Sequence, residues 1–281
     1  MGHARPSAPW IPAAAVFVVA LAIRLLFLAE YSRSPFFELF AVDADVYHRL
    51  ARGFAEGTWP AERRFFWPPL YPLFLGAIYK IAGVEVLHAR VAQCVLGAAT
   101  CAMTLLLAWA VFRRRGVALA AGVICALAGP LIVFDGQLLS GSLDVFLQLG
   151  APCLLLWAGR KAGAWRWAVA GSWLGLGILN RGGLVFYLPL VLVWVILSGR
   201  DTAMPLGRRT SGRALRAMAA VLLPVFFLVA PVAWHNAKTD DDAPAARQAR
   251  RQAAAEGGAE AAALARARGW ENLRAGRFTV L

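Results

Sequence analysis

The chain has 281 residues, 60% of them hydrophobic, with a formal net charge of +13. Soluble domains carry roughly 45–50% apolar residues, so the composition excludes an ordinary soluble enzyme and points to an integral membrane protein. The positive charge does not mark a nucleic-acid binder, because most of it sits in short clusters between apolar runs, the pattern that orients membrane helices.

Seven apolar runs are candidate spans: 11–29, 87–112, 117–134, 143–158, 167–179, 184–198 and 217–234. The first lacks a small-residue cleavage site and reads as a retained span. Arg113, Arg114 and Arg115 follow the second run. Arg160, Lys161 and Arg166 follow the fourth, and Arg200, Arg208, Arg209, Arg213 and Arg216 follow the sixth. The alternate loops are poor in basic residues: 135–142 has none and 180–183 only Arg181. This alternation predicts a cytoplasmic N-terminus, with 30–86, 135–142, 180–183 and the C-terminal tail facing outward. Trp165, Trp167, Trp194 and Trp234 fall near the span ends, where interfacial aromatics sit. The fifth run, with Gly171, Gly175 and Gly177, is either a tilted span or half of a re-entrant hairpin with the sixth. Cys94, Cys101, Cys125 and Cys153 lie within apolar runs without C-x-x-C spacing and read as small core residues.

The outward segment 30–86 carries "DADVYHRLARGF". Asp43 or Asp45 can cap a helix running to about Glu56, with Val46, Leu50 and Phe54 on the bilayer or the spans and Gly57 closing it. A loop with Arg63, Arg64, Phe65, Phe66 and Trp67 leads to a second helix over 70–81, too short to span. Both helices are expected to lie along the outer surface. Residues 237–281 are a polar Ala/Arg-rich outward tail, with helical potential over 244–270 interrupted at Gly257 and Gly258.

Five stretches carry a family resemblance. They are "DADVYHRLA" opening the first outward loop, "PPLYPLFLGAIY" on the second surface helix, "GQLLSGSLDVFL" at the fourth span, "GLGILNRGGLVFYLP" at the turn after the fifth, and "APVAWHN" with the later "AGRFTVL". Together they resemble the GT-C superfamily of membrane glycosyltransferases. Within it they resemble the bacterial relatives of protein O-mannosyltransferases and of the lipid A aminoarabinose transferase, of the glycosyltransferase family 39 type. The resemblance implies an all-α polytopic fold: a GT-C-like bundle of about seven transmembrane helices over 1–236 with two outward juxtamembrane helices. The tail would be the start of a C-terminal region, the chain being the N-terminal part of a longer protein. Many relatives carry an acidic residue at the position of Gly141, where Asp135 or Asp144 is the candidate substitute; Arg181 is followed by Gly182 rather than Pro.

The implied reaction moves a sugar, with inversion, from a polyprenyl-phosphate donor to a glycan, lipid or protein acceptor on the outer face of the bacterial cytoplasmic (inner) membrane. The acceptor must lose a proton, and Asp43 is the expected general base. Asp45 would position the acceptor, hold a divalent cation (Mg or Mn), or only cap the helix. Arg63, Arg64, His88, Arg90 and Arg181 are the candidate cations for the donor phosphate. Tyr47, His48 and Asp144 complete the candidate substrate-binding set. Each has a structural alternative: Tyr47 and His48 can pack, Arg63 and Arg64 can meet headgroups, and Asp144 can complement a helix dipole. Arg24, inside the first span, either snorkels to the interface or binds ligand. Two other readings compete. One is a secondary transporter lined by Arg24, Asp144 and Arg181, and the other a non-catalytic or truncated scaffold of the same fold.

Overall fold

The computed structural model describes residues 9–40, 42–59, 65, 67–160, 163–198 and 209–241. The predicted tail helix, Arg63 and Arg64 lie outside them. The chain divides into two units, one of residues 1–61 and 65–232, the other of 62–64 and 233–281. In the second, the described residues are 233–241, at the end of the last helix.

The described residues are helical, with no strand among them. The first unit begins with α1 (Trp10–Tyr31), followed by two short helices, α2 (Asp43–Ala55) and α3 (Leu70–Ala82). Then come α4 (Val86–Phe112), α5 (Arg115–Leu127), α6 (Gly129–Asp135), α7 (Gly141–Gly159) and α8 (Ala164–Asn180). A 3-10 turn (Gly182–Tyr187) leads into α9 (Leu188–Ser198), and α10 spans Arg209–Asp241.

Among the described residues four helices are long and apolar enough to cross a membrane: α1, α4, α7 and residues 214–239 of α10. The third apolar run is not one rod. Its halves, α5 and α6, meet at 54° and make a fifth candidate only if counted as one broken span. The break falls at Ala128–Gly129–Pro130, where Ala128 is extended and Pro130 has no N–H to continue the ladder. The seven-span expectation is met only to this extent. With 17 residues α8 rises about 25 Å, short of a hydrocarbon core of about 30 Å. The sixth run is divided between the 3-10 turn and the 11-residue α9.

Packing follows from small residues. One core joins α1, α4 and α5 through Ala13, Ala20, Ala98, Cys101 and Ala118. A second joins α7 to α10. There Gly171 brings α8 against the backbone of Val221, leaving no room for a Cβ. In an apolar solvent such close approach replaces hydrophobic collapse as the force between helices. Trp167 is buried against Trp194, ring centroids 5.7 Å apart, and is therefore core rather than an interfacial anchor. Trp165 is exposed, and the Arg166 guanidinium stacks on Trp157 nearby.

The third core seats α2 and α3 on α4 and α7, through Ala44, Tyr47, Ala51, Tyr71, Leu75, Ala89 and Leu143. The buried face of α2 is thus Ala44–Tyr47–Ala51, not the predicted Val46–Leu50–Phe54 stripe, which is half-buried. Alanines let α2 lie close, and Phe54 instead covers Gly76 of α3. Gly57 does close the helix, at φ +75°.

Arg24 does not snorkel. Its Nε meets Asp135 Oδ2 at 2.6 Å, and its Nη1 donates to the Ala20 carbonyl at 3.2 Å. The pair lies on Gly97, where any Cβ would collide with the Asp135 carboxylate. Both residues are buried, so each charge depends on the other. Arg24→Leu alone should cost about 3–5 kcal/mol by stranding a carboxylate. Arg24→Leu with Asp135→Leu should recover most of that loss in thermal unfolding of the detergent-solubilised protein. Losses that simply add would show that the pair carries no coupling.

Candidate functional site

The first element of the site is the start of α2. Neither aspartate caps it: Val42 precedes the helix, and no side chain bonds the free N–H groups. Asp43 and Asp45 lie within the first turn, where the helix dipole favours their charge. Val42 is itself at φ +48°, ψ −102°, a costly geometry for a β-branched residue, directly before Asp43. Asp45 is engaged by Arg49 at 3.0 Å on the exposed side of α2. Asp43 is half-buried and has no hydrogen-bond or ion-pair partner among the described residues. The two carboxylates therefore differ: one is spent on a local ion pair and the other is open.

Tyr47 links α2 to the bundle. Its ring stands edge-on to Tyr71 at 4.8 Å and Trp67 at 5.6 Å, and its hydroxyl lies near Ser140 before α7. Burial raises its phenol above the ordinary value, the nearby Ser140 side chain lowers it, and Asp43 and Asp144 raise it further. Arg181 acts in the opposite direction. The hydroxyl thus stays protonated, within electrostatic reach of three of the residues singled out in the sequence.

Asp144 is the second element. It is buried in the first turn of α7, where Oδ1 accepts from Asn180 Nδ2 at 2.7 Å and Oδ2 from Arg181 Nη1 at 2.8 Å. Asp144 therefore holds the end of α8 as well as complementing a dipole. Arg181 terminates α8 in an extended conformation, its side chain two-thirds exposed. Only one of its nitrogens is committed to Asp144, so further donors remain for an anion. The Asn180 Oδ1 is buried and meets no partner among the described residues.

Arg181 also lines a cavity of about 340 Å³ reaching to Arg24 and Asp135, with Leu131, Phe134 and Val145 in its wall. The cavity is therefore largely apolar, with a charged mouth and a neutralised ion pair at its other lining. The turn between α6 and α7 is held over it by Gln93. That buried amide donates to the Gln137 carbonyl at 2.7 Å and to Ser142 Oγ at 3.3 Å, and accepts from the Tyr71 hydroxyl at 3.1 Å.

Asp144 and Arg181 are thus in direct contact, and both, with Asp43, act electrostatically on Tyr47. The other predicted residues stand apart. His48 Nδ1 meets the Tyr79 hydroxyl at 2.9 Å, and its ring stacks on Phe40. His88 is half-buried, with Nδ1 lacking a partner among the described residues. Arg90 is buried under aromatic rings. Among the described residues no group of three His, Cys, Asp or Glu gathers as metal ligands, and Asp45 is tied to Arg49. Sequence reasoning missed Gln93, Asn180 and Ser140. A lone glutamine within a 27-residue apolar helix is the signal for the first, since polar groups in spans are expensive.

Burial and Arg52 hold the His48 imidazole below its ordinary pKa of 6.5, against the pull of Asp45. The unfolded chain therefore takes up the proton first, so His48 favours folding above 6.5 and opposes it as the pH falls. Lowering the pH from about 7.5 to about 5 should depress the thermal midpoint of the wild type more than that of His48→Phe. Parallel curves would remove His48 from the acid response.

The chain matches no protein-family model, no curated protein and no solved structure.

Proposed function

We propose that this chain is a GT-C-type membrane glycosyltransferase that moves a sugar from a polyprenyl-phosphate donor to an acceptor hydroxyl at the outer face of a bacterial cytoplasmic membrane. The observation that carries the reading is that Asp43, which has no hydrogen-bond or ion-pair partner among the described residues, acts on Tyr47 together with the Asp144–Arg181 pair, and that Arg181 also lines a largely apolar cavity. Such a site suits a substrate with an anionic head and an apolar tail. The alternation of basic loops supports the outward orientation.

In this reading the acceptor oxygen attacks the anomeric carbon as the bond from that carbon to the phosphate oxygen breaks. Asp43 takes the acceptor proton. The leaving polyprenyl phosphate carries the negative charge, which the remaining Arg181 donors stabilise. Asp144 and Asn180 position Arg181, and Tyr47 with Ser140 holds the start of α2 against α7. Asp45 serves the surface of α2 through Arg49. Among the described residues it gathers with no further carboxylate, histidine or cysteine that would hold a resident cation.

A transporter reading draws on the break between α5 and α6 beside the Arg24–Asp135 pair, since broken helices often mark substrate paths. Substrate flux in proteoliposomes without glycosyl transfer would favour it.

The test is transfer from a polyprenyl-phosphate sugar by Asp43→Asn and Asp45→Asn proteins. Asp43→Asn should slow transfer by about 100- to 10,000-fold while donor binding persists, and Asp45→Asn should retain most activity. Unchanged transfer in Asp43→Asn would sink the assignment of the base. Donor binding without turnover in the wild type would mark a scaffold.

A further inference from the structure

Arg90 is buried, 2% exposed, in the second turn of α4, yet it pairs with no carboxylate among the described residues. Its Nε and Nη1 are buried and meet no acceptor among the described residues. The guanidinium lies instead against two rings, 4.0 Å from the Phe37 centroid and 5.1 Å from that of Tyr31. Arg24, at similar burial, has both a carboxylate and backbone carbonyls. Aromatic faces attract a cation, but they leave the N–H donors in the guanidinium plane unmatched. Buried charged donors are rarely left so.

The cover over Arg90 is lightly fastened. Tyr31 ends α1, its hydroxyl donates to the Phe36 carbonyl at 3.2 Å, and its ring meets Phe37 edge-on at 5.5 Å. Backbone N–H groups of residues 32–39 reach only residues 28–36: Ser32 to Leu28, Ser34 to Tyr31, Phe37 to Ser34 and Leu39 to Phe36. Phe37 on Arg90 and Phe40 on His48 join this exposed segment to the helices behind it. Depth is also informative. The 27 residues of α4 rise about 40 Å against a hydrocarbon core of about 30 Å. Centred on that core, α4 places Arg90 within about one turn of headgroup level.

We propose that Arg90 is an anion-binding residue for a phosphate group, and that Phe37 on segment 32–40 is the cover that closes it when no anion is bound. Guanidinium donors match phosphate oxygens in both charge and geometry. The phosphate is a lipid headgroup or free phosphate, the shared chemistry being a tetrahedral oxyanion. The site uses none of Asp43, Asp144 or Arg181 and stands independently of glycosyl transfer.

The test is thermal-shift titration of the full chain in mild detergent with dioctanoyl phosphatidic acid and, separately, inorganic phosphate. Phe37→Ala should bind about tenfold tighter than wild type, because the competing closed state is removed. Arg90→Gln should bind about tenfold more weakly or not at all. Saturation by both probes assigns free phosphate, and saturation by the lipid alone assigns a headgroup. Binding that survives Arg90→Gln overturns the proposal, as does absence of saturation in both wild type and Phe37→Ala. If Arg90→Gln does not fold, Phe37→Ala decides alone, and an affinity equal to that of the wild type overturns the cover.

Discussion

A carboxylate inside an apolar helix bundle must have a cation beside it, and this constraint organises the first unit. Asp135 and Asp144 are both buried, and each is met by an arginine distant in sequence. Arg24 reaches from α1 to the end of the broken α5–α6 pair, and Arg181 reaches from the end of α8 to the start of α7. Neither pair is a simple gain in stability: desolvating two charges offsets most of the Arg24–Asp135 attraction, and solvent screens the exposed Arg181. Their effect is placement: separating either pair strands a charge, so the helix ends that carry them are fixed in register. The α6–α7 turn between the two carboxylates is fixed in the same way, by the satisfied amide of Gln93.

The surface layer depends on that frame. Residues Ala44, Tyr47 and Ala51 allow α2 to settle on α3 and α7. Tyr47 then brings Asp43 into the same electrostatic neighbourhood as Asp144 and Arg181. In the proposed reading the layer's exposed side receives the acceptor, while its other side packs on α4 and α7 and Arg181 lines a largely apolar cavity. Chemistry on a lipid-anchored phosphate needs such a boundary, because neither bulk water nor the bilayer core suits both halves of the substrate.

Local signals made the elements legible in the sequence, and long-range partners stayed hidden. Apolar runs place α1, α4 and α7 within two residues of their ends, and the Asp-rich start and Gly57 bracket α2. The Gly129–Pro130 break stands in the sequence too, but hydropathy alone runs across it. Arg24 shows why charge in a span is hard to read. Snorkelling and pairing leave the same local pattern, and only Asp135, 111 residues away, distinguishes them. Asp43 and Asp45 look equivalent as letters; Arg49, four residues on, separates them. Large apolar residues mark Val46, Leu50 and Phe54 as the face of α2 toward the bilayer or the spans, but close packing buries the Ala44–Tyr47–Ala51 face instead.

The central claim is that the Asp43–Asp144–Arg181 neighbourhood receives a lipid-linked phosphate. Mass spectrometry of the lipids that co-purify in mild detergent tests it most directly, comparing wild type with Arg181→Ala. The account predicts a polyprenyl-phosphate sugar in the wild type that disappears in the variant. Bulk phospholipid alone in both proteins would contradict it.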